Sequence, residues 1–447
     1  LLLALTGGVV VVGGGAALAV GLGGSSGTTS TRDSEPALGG APSTAAISPT
    51  SAAGAAVPPT PAQRSLPPGG ALPPPTGALG KLQGPSAKSF WTQDTTGRVT
   101  SLAAAEGMLV VATDSDVTGF DYGGSAKWGP LPAGGIAGSG NGVVDSGVVY
   151  LVASFVGGAP GQVAVLALDL MTGSPRWTTP LPPDPSPLTG VRVAGVLGGK
   201  VFVVGTAGST PAMWALDVAS GSSVWNKAGV QYATLTVPAG GEQVLAAGSP
   251  DPNTPVTAAA LDVDTGDQAW AHQLGTSVDY SHVSLSKAVS AGDRYVLLSS
   301  TPDGDVLAAG NTATGQDAWT SKLPEPAGDA GPVSLITRSP DSSAVIALSR
   351  RGVYAVEAQT GKVLWQSQGT ESFVTSADGG TPQIADGNVY VCDQKGGWWA
   401  VDLATGRTRW RYAATRPEVA ADPVWIAVSG GVVTSAGSLL TMILAKG

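Results

Sequence analysis

The stretch AVDLATGRTRW, residues 400–410, places an acid, a Thr-Gly pair and a tryptophan at a spacing that decides the fold. The carboxylate of Asp402 can cap a tight turn, and Gly406 can adopt the positive φ that a hairpin requires. Trp410 follows Gly406 by four residues, an even number, so regular alternation puts both on one face of the outer strand. The pattern predicts a turn between two antiparallel strands, after which the indole packs against a neighbouring sheet and donates its N–H to a carbonyl.

The same pattern recurs along the chain with a regular period. Five copies have the same length, and one copy that is a residue shorter, GFDYGGSAKW, ends at Trp128. Successive tryptophans from Trp128 to Trp410 lie about 45–49 residues apart, a period typical of repeat architectures. Short runs of branched and aromatic residues within each period predict β-strands. The predicted turn positions are Asp169 with Gly173, Asp217 with Gly221, Asp262 with Gly266, Asn311 with Gly315, Glu357 with Gly361, and Asp402 with Gly406.

Each period predicts one four-stranded antiparallel blade of a β-propeller, because four strands of about five residues and their turns fill about 45 positions. SFWTQ around Trp91 is typical of an outer strand without its blade, whereas the segment after Trp410 supplies strands without a further turn motif. Pairing these two ends closes the ring and removes exposed edges. The sequence therefore predicts an all-β, eight-bladed propeller, with seven blades as the alternative because the first interval, 37 residues, is short. The predicted blade-docking tryptophans are Trp91, Trp128, Trp177, Trp225, Trp270, Trp319, Trp365 and Trp410.

These motifs closely resemble the pyrroloquinoline-quinone-like repeats of the quinoprotein alcohol dehydrogenase-like propellers over about residues 88–447, with Asn311 and Glu357 replacing the usual Asp. The resemblance implies that members that use the quinone hold it on the ring axis with calcium, carboxylates and, in the alcohol dehydrogenases, a vicinal cysteine pair. Cys392 is the only cysteine, which rules out that pair. No catalytic, cofactor-binding or metal-binding residue can be matched, so we expect no cofactor and no enzyme activity, with a quinone-dependent dehydrogenase as an alternative.

The N-terminal residues differ in composition from the rest of the chain. Residues 1–22 form an uncharged apolar run that is long enough to span a bilayer as a helix. They predict a transmembrane helix or an export signal with Ala17-Leu18-Ala19 as its cleavage site. Residues 23–86 are rich in Pro, Ala, Thr, Ser and Gly and predict a disordered linker, followed by the propeller over 87–447. The composition resembles that of high-GC actinobacterial proteins in which such propellers follow an anchor, sometimes behind a cytoplasmic serine/threonine kinase domain.

Charge and residue usage exclude several kinds of site. A formal net charge of −9 argues against nucleic-acid binding, which requires clustered Lys and Arg. The acids Asp262, Asp264 and Asp267 predict a solvated turn rather than a calcium site, because the EF-hand spacing is absent. His272 and His282 are the only histidines, too few for a histidine-rich metal site.

Loops on a rigid scaffold are the usual place for binding, and the connections opposite the DxxTG turns are long. The segments concerned are 154–162, 180–190, 249–255 and 323–332. We expect a single-pass protein of the cell membrane with an extracytoplasmic propeller that binds protein partners on this face as a scaffold. The alternative is a domain that senses a small ligand or cell-wall fragment for a transmembrane signalling protein such as a serine/threonine kinase.

Overall fold

The computed structural model describes most of the chain from Gly80 to Leu444, and the described residues all lie in the second of its two compact units, Ala71–Gly447. The predicted apolar helix at 1–22 and nearly all of the linker at 23–86 lie outside the described residues. No helix that could cross a membrane occurs in the part of the chain that is described. The described residues are 80–81, 88–133, 142–154, 162–182, 187–208, 210–228, 234–237, 243–248, 257–273, 288–301, 304–324, 333–368, 372–373, 382–413 and 424–444.

All regular structure in these ranges is β-strand, arranged as eight sheets. Two N-terminal strands, Gly80–Lys81 (β1) and Lys88–Asp94 (β2), precede the first complete blade. Blade 1 contains Val99–Ala105 (β3), Met108–Thr113 (β4), Asp116–Asp121 (β5) and Ala126–Pro132 (β6), and blade 2 contains Val143–Asp145 (β7), Val148–Ser154 (β8), Val163–Asp169 (β9) and Pro175–Pro180 (β10). Blade 3 contains Leu188–Leu197 (β11), Lys200–Ala207 (β12), Thr210–Asp217 (β13) and Ser223–Ala228 (β14). Blade 4 contains Thr234–Thr236 (β15), Gln243–Gly248 (β16), Thr257–Asp262 (β17) and Gln268–Gln273 (β18).

The remaining four blades follow the same order of strands. Blade 5 contains Ala288–Ala291 (β19), Arg294–Thr301 (β20), Gly304–Asn311 (β21) and Asp317–Lys322 (β22), and blade 6 contains Val333–Arg338 (β23), Ala344–Ser349 (β24), Gly352–Glu357 (β25) and Val363–Gln368 (β26). Blade 7 contains Gln383–Ala385 (β27), Asn388–Cys392 (β28), Trp398–Asp402 (β29) and Thr408–Tyr412 (β30). Blade 8 contains Trp425–Val428 (β31), Gly431–Ala436 (β32) and Leu439–Leu444 (β33). The prediction of an all-β propeller with eight four-stranded antiparallel blades is confirmed, and the seven-bladed alternative is wrong.

The blades stand around a common axis, with their first strands innermost. β3 lies against β7 on one side and β31 on the other. Each fourth strand lies farthest from the axis among the four strands of its blade, and in blade 6 the short strand β1 pairs outside it. The middle strands are apolar on both faces because each sheet is packed between two others. In β4, Val110 packs with Val149 of blade 2, whereas its neighbour Val111 packs with Val433 of blade 8.

The ring closes through the N-terminal strand β2. It pairs antiparallel with β33, with Trp91 opposite Met442, and so supplies the outer strand that the last blade lacks. This pairing removes a free edge on an apolar strand. The prediction that the two ends share one blade is therefore confirmed.

β1 adds a fifth strand to blade 6. Gly80 and Lys81 pair in parallel with Ser367 and Gln368 of β26, although they lie within the segment predicted as linker. An outer strand offers unpaired backbone N–H and C=O groups on its free side, which explains why a passing segment pairs there. The predicted linker therefore contains a short strand near its C-terminal end.

The antiparallel connectivity gives the propeller two distinct faces. Turns between first and second strands and between third and fourth strands lie on one face, which we call the turn face. Turns between second and third strands and the connections between blades lie on the opposite face, the loop face. The longest connections on the loop face are residues 274–287, 369–382 and 413–424, none of which the sequence analysis selected.

Candidate functional site

The DxxTG motif forms the turn between the third and fourth strands of a blade. In blade 7, Asp402 Oδ1 accepts hydrogen bonds from the backbone N–H of Ala404 (3.1 Å) and Thr405 (2.8 Å) and from the Thr405 hydroxyl (2.8 Å). Asn311 accepts the equivalent bonds through its amide oxygen. An uncharged oxygen at this distance from the backbone is therefore sufficient for these bonds. At Glu357 in blade 6, the longer side chain accepts from the Thr360 hydroxyl. Equivalent bonds to Oδ1 are made at Asp169, Asp217 and Asp262.

Each motif tryptophan joins its blade to the next one. The indole N–H donates to the carbonyl of the residue that follows the motif acid of the neighbouring blade. This bond gives the indole N–H a hydrogen-bond acceptor and fixes the position of one blade relative to the next. The donor and acceptor pairs are Trp91 to Tyr122 (2.9 Å), Trp128 to Leu170 (3.0 Å), Trp177 to Val218 (2.8 Å), Trp225 to Val263 (3.0 Å), Trp270 to Thr312 (3.0 Å), Trp319 to Ala358 (2.9 Å) and Trp365 to Leu403 (2.7 Å).

Trp410 belongs to the last seam, where it packs in one apolar cluster with Trp425 and Ile443 of blade 8. The residue equivalent to the carbonyl acceptor of the other seams follows Leu444 and lies outside the described residues. The ring of Tyr390 lies 5.7 Å from that of Trp410, so an aromatic pair also fills this seam.

The glycine of the motif has a second role that the sequence analysis did not assign. Gly173 has the expected positive φ of 69°, but a methyl group at its Cβ position would also lie 2.4 Å from the Trp128 ring of the preceding blade. The glycine therefore makes room for the incoming indole. The distance is similarly short, from 2.4 to 2.7 Å, at Gly221, Gly266, Gly315, Gly361 and Gly406.

A β-bulge precedes each motif tryptophan. In blade 7 the pairing moves from Thr408 opposite Val401 to Trp410 opposite Ala400, so Arg409 is an extra residue. The even count between Gly406 and Trp410 therefore does not determine the face on which the indole lies, and the parity argument from sequence is wrong. A bulge bends the strand and re-aims a side chain, and here it directs the indole into the seam. The same register shift occurs in the outer strands of the other seven blades.

The bulge residue is a cation in three blades, and it pairs with the acid of its own turn. Arg176 lies 3.0 Å from Asp169, and Lys127 lies 2.8 Å from Asp121. The hydrogen bond from Arg176 lowers the pKa of Asp169 below its ordinary value of 3.8, and Lys127 does the same for the pKa of Asp121. Sequence reasoning missed these pairs, although a basic residue directly before the tryptophan was a visible signal. The third pair is Arg409 with Asp402.

The acids that suggested calcium are used in turn and seam contacts. Asp264 pairs with Lys200 of blade 3, and Asp267 lies 3.1 Å from Lys227 of the same blade. No group of three His, Cys, Asp or Glu side chains within the described ranges is arranged to hold a metal. His272 Nε2 lies 3.1 Å from Asp317 of blade 5.

Cys392 and His282 complete the candidates from the sequence analysis. Cys392 is a buried thiol on β28, and burial raises its pKa well above the ordinary value. The unreactive thiol form is therefore favoured. His282 lies outside the described residues.

The predicted binding segments all connect strands through the loop face, although most of their residues lie outside the described ranges. The best-described part of this face belongs to blades 6 and 7. Phe373, from the connection between these blades, is buried and donates its N–H to Arg350 O (2.7 Å). It also forms a β-bridge with Asp393. The carboxylate of Asp393 accepts from the N–H groups of Lys395 (2.9 Å) and Gly397 (2.7 Å).

Aromatic residues lie directly beneath this part of the loop face. Trp399 donates its indole N–H to Asp393 Oδ2 (3.2 Å), and the Arg411 guanidinium lies 5.9 Å from the centre of the Trp399 ring. Trp398 and Trp425 form an edge-to-face pair with ring centres 4.8 Å apart. Three of the tryptophans outside the motif therefore lie at the loop-face ends of blades 7 and 8, a concentration that the sequence analysis did not use.

Solved structures that share this fold include BamB and quinohemoprotein alcohol dehydrogenases. BamB from Moraxella catarrhalis has 20% identity and a TM-score of 0.53, covering 80% of this chain and 98% of that one. Quinohemoprotein alcohol dehydrogenase ADHIIG from Pseudomonas putida HK5 has 13% identity and a TM-score of 0.55, covering 81% and 77%. At these identities the similarity establishes the fold alone.

Sequence comparison gives a relative and a family. The serine/threonine-protein kinase AfsK of Streptomyces griseus is 28% identical over 180 residues, which are 40% of this chain and 21% of the kinase. The chain thus spans about a fifth of the length of this curated relative. A family model described as outer membrane protein assembly factor BamB matches residues 75–189, 164–330 and 302–443. Because these matches cover well over half of the sequence, the chain belongs to this PQQ_2, BamB-like family of repeat propellers.

Proposed function

We propose that this chain is a non-catalytic, membrane-tethered extracytoplasmic scaffold that binds protein partners on the loop face of its propeller. The observation that carries the proposal is the match of the BamB family model along the whole propeller. That family is described by a role in assembling outer-membrane proteins, and we infer the same mode of action, protein binding, for this chain. The membrane tether is the N-terminal apolar run.

The two faces of the propeller differ in their side-chain contacts, and this difference supports the proposal. On the turn face, motif oxygens and cations bond to one another and to neighbouring blades, as in the pairs of Arg176 with Asp169 and Lys200 with Asp264. On the loop face, the connections are long, and the part of them that the structure describes shows no such repeated pattern. Binding residues are concentrated on loops that a rigid scaffold positions.

A site-specific crosslinking experiment tests the proposal. A photoreactive amino acid replaces Gln394 on the loop face or Thr405 on the turn face, both of which are exposed. We expect covalent adducts with partner proteins in membranes of the native cell from the Gln394 position and few from Thr405. Adducts from Thr405 alone would contradict a loop-face scaffold.

A second candidate is a ligand-sensing domain of a transmembrane signalling protein, favoured by the match with the kinase AfsK. The ligand in that case is a small molecule or a cell-wall fragment. The coding sequence upstream of Leu1 tests it, because a signalling protein requires a kinase or another signalling domain there. A second measurement is thermal unfolding with cell-wall fragments, which should raise the melting temperature of a sensor and leave that of a scaffold unchanged.

A quinone-dependent dehydrogenase is the enzymatic alternative, and it is supported only by the shared fold of proteins such as ADHIIG. We expect the purified protein to show no dye reduction after titration with pyrroloquinoline quinone and calcium. Quinone binding with dye-linked alcohol oxidation would replace the scaffold proposal with an enzyme.

A further inference from the structure

We propose that the turn-face rim of blades 6 to 8 rests on the anionic surface of the membrane to which the chain is tethered. This inference rests on the proposed function and adds to it the orientation in which the loop face is presented to partners. The surface consists of two exposed apolar residues, Phe90 and Leu364, and two exposed cations, Lys362 and Arg407. We call these four residues the rim surface.

Large apolar side chains are exposed at equivalent positions of blades 6 and 8. Leu364 of β26 is 48% exposed, and Phe90 of β2 is 59% exposed. Each is the bulge residue of its outer strand, so the bulge aims it away from the seam that the following tryptophan fills. Equivalent positions of a ring lie at the same height along its axis, so one flat surface can contact both. Leucine and phenylalanine side chains are stabilised in the interfacial region of a bilayer.

Among the full-length copies of the motif, the residue directly after the glycine is a cation only in blades 6 and 7. These cations are Lys362 and Arg407. Both side chains are exposed, and neither is in an ion pair within the described ranges. They are therefore available to lipid phosphates, and cations close to an anionic membrane favour binding to it. The equivalent residues of blades 2 to 5 are Ser174, Ser222, Asp267 and Gln316.

The opposite side of the turn face carries the opposite charge. Blade 4 lies across the ring from blade 8, and its turn contains Asp262, Asp264 and Asp267. The nearby cations Lys200 and Lys227 are already paired with Asp264 and Asp267. Because charges at a surface act over only about 8 Å at physiological ionic strength, the local sign matters more than the net charge of −9. An anionic membrane therefore attracts the side of blades 6 to 8 and repels the side of blade 4.

The direction of the N-terminal strands brings the tether to the same side. β2 begins at Lys88, which pairs with Leu444, and Leu444 lies opposite Gly431 at the turn-face end of blade 8. β1 is parallel to β26, so it also runs from the turn face toward the loop face. Both strands are thus entered from the turn face, beside the rim surface. Because a tether raises the effective concentration, a contact too weak to recruit a free protein can hold a tethered one.

The test uses the full chain reconstituted into vesicles of phosphatidylcholine and phosphatidylglycerol, with a nitrobenzoxadiazole probe on one introduced cysteine. Leu364→Cys and Phe90→Cys place the probe on the rim surface. Val224→Cys is the matched control, because Val224 is the exposed bulge residue of blade 3. The unmodified chain, whose single thiol at Cys392 is buried, measures background labelling. Doxyl groups on the lipid acyl chains should quench the probe at the two rim positions at least about twofold more than at the control position.

A double variant tests the contribution of the cations. Lys362→Glu with Arg407→Glu, made in the Leu364→Cys chain, should reduce quenching to the level of the blade 3 control, because anionic lipid repels the new carboxylates. Arg98→Glu with Lys322→Glu is the matched control, since both are exposed cations on the loop face and the change in net charge is the same. This control should leave the quenching unchanged, and circular dichroism should show that both double variants are folded.

Three results would overturn the inference. The first is quenching at the rim positions that is no greater than at Val224. The second is quenching that both double variants lower equally or that neither lowers, since local attraction between the rim cations and lipid would then be absent. The third is shielding of the rim probes that requires native membrane proteins, which would assign the surface to a protein partner.

The same chains distinguish failure of this inference from failure of the proposed function. If loop-face crosslinks from Gln394 persist while the rim probes stay unquenched, the scaffold is retained and only its contact with lipid is removed. Release of the unmodified chain from the vesicles at high salt would instead remove the membrane tether, and with it the proposed function and this inference together.

Discussion

At the scale of single residues, the seam between two blades depends on a glycine of one blade and a tryptophan of the other. Gly173 and Gly147 have nearly the same backbone conformation, with φ of 69° and 71°. They differ in their surroundings, because the Cβ position of Gly173 lies 2.4 Å from Trp128 and that of Gly147 has no atom within 4 Å. Substitutions at the two glycines therefore separate the cost of a side chain in this backbone conformation from the cost of a side chain that contacts the indole.

We expect Gly147→Ala to cost about 1–2 kcal/mol, the cost of a non-glycine residue in this conformation. Gly173→Ala should cost about 1–3 kcal/mol more, because the added methyl group displaces the indole. Urea unfolding followed by tryptophan fluorescence measures both. Equal losses would mean that only the turn conformation requires the glycine.

A second prediction at this scale concerns pH. Arg176 lowers the pKa of Asp169 below 3.8, so this carboxylate stabilises the fold above pH 4 and loses that contribution as the pH falls through its folded-state pKa. In Arg176→Gln the pKa should rise toward 3.8, as seen by carbon NMR of the Asp169 carboxyl. The difference in melting temperature between the variant and the unmodified protein should disappear at low pH.

Val224 provides the matched control for this ion pair. It is the bulge residue of blade 3, beside a turn whose acid, Asp217, has its pKa lowered by Ser220 rather than by a cation. Val224→Gln should leave the pKa of Asp217 unchanged. A pKa of Asp169 that stays low in Arg176→Gln would assign its shift to the turn hydrogen bonds instead.

At the scale of strands, the clearest prediction concerns β2. A chain lacking residues 1–94 loses β2 and the hydrogen bond from Trp91 to Tyr122 O, which leaves β33 as a free apolar edge. We expect a lower melting temperature and aggregation. A chain lacking residues 1–79 keeps both N-terminal strands and is the control, which we expect not to aggregate. Thermal unfolding and light scattering distinguish them, and equal behaviour would show that the ring does not depend on β2.

The sequence predicted the features that recurring side chains produce and missed those that depend on backbone pairing. The recurring acid, glycine and tryptophan gave the number of blades and the closure by β2, because the same local chemistry appears in every period. The bulge before Trp410 was missed because a register shift leaves no gap in the sequence. β1 was missed because Gly80 and Lys81 pair through backbone groups alone, which any sequence supplies.

The candidate site was predictable only in outline. Topology placed the long connections on the loop face, so the face was predicted from the order of strands. The connection between the loop-face turns of blades 6 and 7 was not, because Arg350 and Gln394 are 44 positions apart in the chain and are linked only through residues 372–373. Such contacts depend on tertiary structure, whereas the turn motif depends on neighbours in sequence.

At the scale of the whole molecule, the closed ring predicts that distant seams contribute independently to one cooperative unfolding transition. Trp177→Phe and Trp365→Phe each keep an aromatic ring but remove the N–H that bonds to Val218 O or Leu403 O. Each should cost about 1–3 kcal/mol, because a part-buried carbonyl loses its donor. The two seams lie on opposite sides of the ring, so the double variant should equal the sum within about 0.5 kcal/mol.

Urea unfolding monitored by circular dichroism and fluorescence measures these costs. Coincident single transitions would indicate that the eight blades unfold together. Separate transitions in the double variant would mean that the blades behave as independent neighbours in an open array.

The pairing of β2 with β33 also determines the timing of folding on the ribosome. Trp91 and Met442 are opposite one another but about 350 residues apart in the chain, which at about 5–20 residues per second corresponds to roughly 20–70 s of synthesis. β2 thus leaves the ribosome before all of blade 1 and is the last strand of the ring to find its partner. Throughout that interval β2, which contains aromatic residues, lacks its native partner strand. We expect the nascent chain to need chaperones, or temporary pairing of β2 with blades that have already been synthesised, until translation ends.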